Sequence, residues 1–220
     1  MSTIAIVDYG MGNLRSVAKA FAHVAPDQRV LITSDASEIE SAERVVLPGQ
    51  AAMPESMAAL EASGLRAALD RVSRDRPFFG VCLGLQMLFE STEEGDVAAL
   101  GYLRGRNVRF ARGLTDAEGR VLKVPHMGWN PIRIAPAMRG HPCWAGVPDE
   151  SAFYFAHSYY AQPADASVIA GSVDYPDPIC VAVARDNVFA VQFHPEKSAD
   201  AGLRVLRNFT TWNGTFHVSN

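Results

Sequence analysis

Residues 77–89 read Pro77-Phe78-Phe79-Gly80-Val81-Cys82-Leu83-Gly84-Leu85-Gln86-Met87-Leu88-Phe89. The run Pro77 to Val81 is apolar without in/out alternation, which predicts a strand covered on both faces. Leu83 to Phe89 predicts a helix. Cys82 stands at the corner between them. A corner this tight needs small flanking residues, and Gly80 and Gly84 supply them. A side chain there points off the sheet edge, which is the logic of a nucleophile elbow with sulfur in place of oxygen. The start of a helix favours negative charge on that sulfur. Leu83 N–H is the next backbone donor and is placed to receive an oxyanion. The same residues also suit a small cysteine packed between strand and helix, so other segments must decide.

Upstream, strands and helices alternate. Ile4 to Val7 is a short apolar run that ends at Asp8-Tyr9-Gly10-Met11-Gly12-Asn13, and Leu14, Val17, Ala18 and Phe21 follow at helical spacing. Arg29 to Ile32 is a second strand. Asp35, with Glu38 three residues on, marks a helix start. Arg44 to Leu47 is a third strand, closed by Pro48-Gly49. Pro54 opens a helical stretch through Met57, Leu60, Leu65, Leu69 and Val72, with Gly64 bending or dividing it. This pattern predicts a parallel sheet with helices on both faces.

Downstream, strands dominate: Arg106 to Phe110, Trp129 to Ile134, Ser151 to Ala156 and Val168 to Val173. Ile179 to Ala184 and Val188 to Phe193 flank Arg185-Asp186-Asn187 as an antiparallel hairpin. Ser198 is expected to cap a last helix carrying Leu203, Leu206 and Phe209. No repeat or linker interrupts the chain. The expected architecture is one α/β domain, residues 1–220, whose parallel sheet acquires antiparallel strands.

The 220 residues are 48% hydrophobic and 20% charged, an ordinary globular composition. At this length folding buries roughly 70% of the unfolded surface, so no metal or disulfide staple is needed. The formal net charge is −4, from 20 basic and 24 acidic side chains, and no basic block marks a phosphate footprint. Nucleic acid is therefore not expected as a partner. The apolar run at the N-terminus stops at Asp8 without a basic segment before it, so no secretory signal is read there. No stretch approaches the ~18 apolar residues of a membrane span. Three cysteines, Cys82, Cys143 and Cys180, suggest reduced thiols in a cytoplasm. No cluster has metal-ligand spacing, and no cofactor is expected.

A thiol nucleophile needs a base. Of six histidines, His194 has the best context, in Gln192-Phe193-His194-Pro195-Glu196-Lys197-Ser198. It falls at a predicted strand end, where open α/β sheets place their sites. Glu196, two residues on past a proline, can accept one imidazole N–H and leave the other nitrogen basic. His126 and His157 remain rival bases. His23, His141 and His217 are read as surface or packing residues, and Cys143 and Cys180 as structural. Leu47-Pro48-Gly49-Gln50-Ala51 offers a second oxyanion donor if Gly49 adopts a positive φ; an ordinary turn fits these residues equally.

Pro-Gly turn, cysteine elbow and distant His-Pro-Glu, in this order along the chain, resemble the class I (triad-type) glutamine amidotransferases. Four further segments are similar to the glutaminase subunits of imidazole glycerol phosphate synthase: Asp8 to Leu14, His126-Met127-Gly128-Trp129-Asn130, Tyr154 to Tyr160 and Gln192 to Ser198. The resemblance runs from about residue 4 to residue 210. It implies a flavodoxin-like three-layer sandwich. It also implies that Cys82 is the nucleophile, His194 the base and Glu196 its orienter. Leu83, Gly49 and Gln50 would form the oxyanion site, and Gln86, Ser158 and Tyr159 would hold the amino-acid end of L-glutamine. The chain departs from the fullest pattern at Ala51, where a further glycine is common.

The resemblance further implies a heterodimer with a (β/α)8-barrel synthase subunit of the HisF type, which would use the ammonia in histidine biosynthesis. Asn13, Trp129, Asn130, Tyr154 and Lys197 would line that interface. Three rival readings are a different class I glutaminase subunit, such as that of pyridoxal phosphate synthase, a cysteine hydrolase or peptidase on a similar sheet, and a non-catalytic module on the same scaffold. His-Met-Gly-Trp-Asn speaks against the first, and an intact triad against the last.

Overall fold

The computed structural model describes residues 2–216. The first half alternates as its spacing predicts: β1 (Thr3–Val7), α1 (Leu14–Val24), β2 (Arg29–Thr33), α2 (Ala36–Ser41), β3 (Arg44–Gly49), α3 (Met53–Ser63), α4 (Arg66–Val72) and β4 (Phe78–Cys82). There follow α5 (Leu83–Gln86), the two-residue strands β5 (Ser91–Thr92) and β6 (Val97–Ala98), β7 (Gly105–Arg109), β8 (His126–Pro131) and β9 (Arg133–Ile134). The chain closes with β10 (Ala152–His157), β11 (Tyr159–Pro163), β12 (Ile169–Asp174), β13 (Pro178–Arg185), β14 (Val188–Val191) and α6 (Ala199–Thr211).

The strand order β2-β1-β3-β4-β14 is parallel throughout. From β14 the sheet continues antiparallel through β13, β11 and β7, and β12 pairs with β13. Side-chain alternation distributes each parallel strand between two cores. Ile4, Ile6, Val46, Phe79, Val81, Phe189 and Val191 meet Val17 and Phe21 of α1 and Leu206 and Phe209 of α6 on one face. Val7, Val45, Leu47, Phe78, Val188 and Ala190 meet Ile39, Leu60 and Leu69 of α2, α3 and α4 on the other. The result is an α/β sandwich of three layers with a mixed sheet.

Local chemistry sets the element ends. The Asp35 carboxylate accepts from Ser37 N and Glu38 N and caps α2. Glu38 bonds the Thr33 hydroxyl instead of closing a reciprocal box. Gly64, at φ 72°, terminates α3 and divides the predicted long helix in two. No helix among the described residues is long and apolar enough to cross a membrane.

Three segments depart from the sequence-based expectation. The helix after Cys82 is four residues long and does not reach Phe89. Its later carbonyls are engaged elsewhere: Asn107 Nδ2 donates to Gln86 O, Leu100 N to Met87 O, Leu103 N to Leu88 O and Gly101 N to Phe89 O. The strand expected over Trp129 to Ile134 starts earlier, at His126, and forms a separate two-stranded ribbon with β10. It breaks after Pro131, which has no N–H to donate, and resumes as β9 against β12. Finally, the strand expected over Ser151 to Ala156 is β10, and β11 follows it after only Ser158 as a further strand that the sequence reading does not include.

Candidate active site

β3 and β4 end side by side, with Gly49 in register with Cys82. Cys82 has φ 56° and ψ −110°, a backbone conformation that an L-residue adopts only under strain. The surrounding contacts impose it. A Cβ on Gly84 would stand 1.8 Å from the Leu47 carbonyl oxygen, and one on Gly80 would stand 2.8 Å from the Gly84 oxygen and 2.9 Å from Ala190 Cβ. Both elbow glycines are thus fixed by close approach.

Above Cys82 lies a cavity of about 270 Å³ whose wall includes His194, Gln50, Leu83, Gln86, Ser158 and Tyr159. Leu83 is the first residue of α5, so its N–H has no partner within the helix. His194 follows β14, its N–H anchored to Tyr154 O at 2.9 Å. His194 Nδ1 and Glu196 Oε1 are 2.9 Å apart, and both side chains are buried. Burial pulls the His194 pKa down. Contacts with Cys82 and with Glu196 outweigh that and raise it to about 9. The second Glu196 oxygen, Oε2, is buried without a partner, leaving the carboxylate oriented by the imidazole.

A cluster of amides forms the floor. Gln86 Nε2 donates to Tyr159 O and to Gln192 Oε1, both at 2.8 Å. Gln192 Nε2 points at Cys82 Sγ at 3.7 Å. Sequence reasoning missed Gln192 and Asn107 as parts of this floor, although Gln192 is a polar residue inside an apolar run. It also missed Glu94, which lines the cavity and accepts from Met53 N at 2.8 Å. Tyr9 was missed too: its hydroxyl donates to Pro48 O at 3.0 Å beneath the Gly49 turn, and burial raises its pKa to about 12.

The rival bases are engaged. His157 Nδ1 meets Tyr159 O at 2.9 Å, and its Nε2 meets His126 Nδ1 at 3.0 Å. Burial depresses the pKa of His126 to about 4 and that of His157 to about 3. His141 is also buried, with a pKa depressed to about 4 and its ring stacked on Phe189, as a packing residue. His217 lies outside the described residues. Cys143 and Cys180 are buried away from the cavity.

Two local expectations need correction. Gly49 does not have a positive φ, nor does Ala51. Glycine is needed at position 49 because a Cβ would meet Leu83 Cβ and the Tyr9 hydroxyl at 2.8 Å. Ser198 occupies the N-cap position of α6 but makes no capping bond. Its hydroxyl instead donates to His194 O at 2.6 Å and accepts from Tyr154 N at 3.0 Å.

Of the residues assigned to an interface, Trp129 and Tyr154 sit opposite each other in the β8–β10 ribbon, their rings 6.1 Å apart. Trp129 is 52% and neighbouring Met127 63% exposed, which is unusual for side chains this apolar. Asn130 is half-buried on the opposite face of β8. Asn13 precedes α1 without a side-chain capping bond, and Lys197 is exposed at the cavity wall.

A family model described as glutamine amidotransferase class-I matches residues 5–212. A chain named imidazole glycerol phosphate synthase subunit HisH from Aromatoleum aromaticum is 54% identical over 96% of this chain and 99% of its own length. Its namesake from Dechloromonas aromatica is 52% identical over 96% of both. Among solved structures, a GMP synthase protein from Thermoplasma acidophilum superposes with a TM-score of 0.68 at 20% identity, over 95% of this chain and 92% of that one. A structure described as a glutamine amidotransferase superposes with a TM-score of 0.69 at 15% identity, over 94% and 99%. These two share the fold. With its elbow, its His-Pro-Glu segment and its full-length similarity, the chain belongs to the class I glutamine amidotransferases, in the HisH family of imidazole glycerol phosphate synthase subunits.

Proposed function

We propose that the protein hydrolyses L-glutamine to glutamate and ammonia through Cys82, His194 and Glu196. The observation that carries this is the buried His194–Glu196 pair facing the strained Cys82 across one cavity. A raised His194 pKa keeps the imidazole protonated at neutral pH, opposite the sulfur. The Cys82 thiolate would add to the side-chain amide carbon, the oxyanion resting on Leu83 N–H and a donor of the Gly49–Gln50 peptide. His194 would give its proton to the departing ammonia, leaving a γ-glutamyl thioester. His194, now neutral, would take a proton from water as that water attacks the thioester. Glutamate leaves and the thiolate returns. Gln86, Ser158 and Tyr159 would hold the amino-acid end of the substrate, with the Glu94 carboxylate facing its ammonium group.

Ammonia in neutral water is mostly protonated and loses its nucleophilic lone pair. This supports delivery to an acceptor on a bound partner, the (β/α)8-barrel HisF-type synthase subunit that forms imidazole glycerol phosphate in histidine biosynthesis. Asn13, Met127, Trp129, Asn130, Tyr154 and Lys197 are the proposed docking residues, and aromatic anchors suit such an interface. Three unpaired cysteines suit a reducing cytoplasm. The test measures glutamate release alone and with the synthase subunit plus its nucleotide ligand. Strong stimulation, abolished in a folded Cys82→Ala chain, is expected. Turnover that persists in Cys82→Ala would overturn the assignment.

A further inference from the structure

Between the exposed β8–β10 ribbon and the cavity runs a buried polar chain that the hydrolytic steps leave unused. Its atoms fix the direction of every hydrogen bond in it. Tyr159 O can only accept, so His157 Nδ1 carries the proton. A neutral His157 then presents a lone pair at Nε2, so His126 Nδ1 must donate to it. His126 Nε2 in turn presents a lone pair, and Asn130 Nδ2 is the atom that meets it. Both rings are neutral because burial disfavours their cations. His126 is sandwiched between Phe155 and Tyr175, with ring centroids 4.7 and 4.0 Å away. The far end of the chain, Tyr159 O, also receives Gln86 Nε2. It thereby reaches Gln192 and the nucleophile.

We propose that His126 and His157 form a proton-ordered relay through which the orientation of the Asn130 amide positions the Tyr159 carbonyl and Gln86. This rests on the assignment of that cavity to glutamine. The relay has two orders. With an N–H of residue 130 facing His126, every link is satisfied. With an acceptor facing His126, Nε2 of that ring takes the proton, its Nδ1 becomes a lone pair, and His157 must place its own proton on Nε2. The bare Nδ1 of His157 then faces Tyr159 O, two acceptors in contact, and the carbonyl must move. Gln86 loses its anchor with it. No net proton is gained or lost, since each ring only exchanges one nitrogen for the other. A group that reaches the half-buried Asn130 and captures its N–H would reverse the order from outside. His126 and His157 are positioning residues here; neither touches the reacting atoms.

The test reads the tautomers directly, by ¹⁵N NMR of histidine-labelled protein at pH 8.5, where both rings are neutral. The wild-type chain is expected to carry Nδ1–H on both His126 and His157. Asn130→Asp, an isosteric acceptor, is expected to move both to Nε2–H. In a Cys82→Ser background, which cannot turn substrate over, it should also weaken glutamine binding by calorimetry about tenfold. Nε2–H on either ring of the wild-type chain overturns the relay without recourse to a variant. So does His157 holding Nδ1–H in a folded Asn130→Asp chain. If the Cys82→Ser chain binds no glutamine, the assigned substrate fails, and the tautomers alone decide the relay.

Discussion

The alpha carbon of Gly84 faces the carbonyl oxygen of Leu47 so closely that a methyl group on it would lie 1.8 Å from that oxygen. Because the obstacle is backbone of β3, no rotamer change relieves it. The contact is what lets α5 turn back over the sheet directly after Cys82. Gly84→Ala is therefore expected to cost about 3 kcal/mol or more, at the upper end of overpacking penalties. A urea melt compared with wild type measures it, and an unchanged midpoint would show that β3 can yield.

The His194 pKa of about 9 sets a second expectation. In the proposed hydrolysis the protonated imidazole is the acid for the departing ammonia, so turnover should fall as pH rises through about 9. Glu196→Gln removes one of the two contacts that raise this pKa. Its alkaline limb should move to lower pH, and its rate at pH 8 should drop by at least tenfold. The same group links to stability. A raised pKa stabilises the fold below the ordinary histidine value near 6.5, and that contribution is lost between there and 9. A rate profile for Glu196→Gln that overlays wild type would contradict the pairing.

His126, His141 and His157 work in the opposite direction. All three pKa values are depressed by burial, to about 4, 4 and 3. Their neutral forms are held fully above pH 6.5. As pH falls below that, the unfolded chain takes up protons first and stability declines until the folded values are reached. Between pH 7 and pH 5 each should cost about 2 kcal/mol. His141→Asn retains an acceptor for Cys143 N, which His141 Nδ1 now receives. Its melting temperature should therefore fall less between pH 7 and pH 5 than that of wild type. Equal falls would mean that His141 is solvated before the protein unfolds.

The parallel half, the Cys82 corner and the His194–Glu196 pair were legible because short-range signals specify them. Apolar runs, Gly64 and the Asp35 cap each act within a few residues, and the elbow needs only Gly80 and Gly84 around one cysteine. What stayed hidden depends on distant partners. Nothing in Leu83 to Phe89 tells that Leu100, Gly101, Leu103 and Asn107 take its carbonyls and stop the helix. The Ser198 hydroxyl was assigned to a cap because its competitor, the Tyr154 N–H, lies 44 residues away. Glycine at 49 was read as needing a positive φ, whereas the structure requires it because Leu83 and Tyr9, from other segments, crowd that position. Glu94 carries no local mark of the cavity that it lines, and Gln192 only that of a polar residue in an apolar run.

The backbone of Tyr154 grips the His194 loop at two points: its oxygen takes the His194 N–H, and its nitrogen gives to Ser198 Oγ. Tyr154 belongs to the β8–β10 ribbon, which pairs with no strand of the main sheet. His194 is thus held from two sides: it follows β14 of the main sheet, and it is bonded to a ribbon outside that sheet whose inner residues Phe153 and Phe155 are buried in the core. A load on the outer face of the ribbon reaches the backbone around His194 through these two hydrogen bonds.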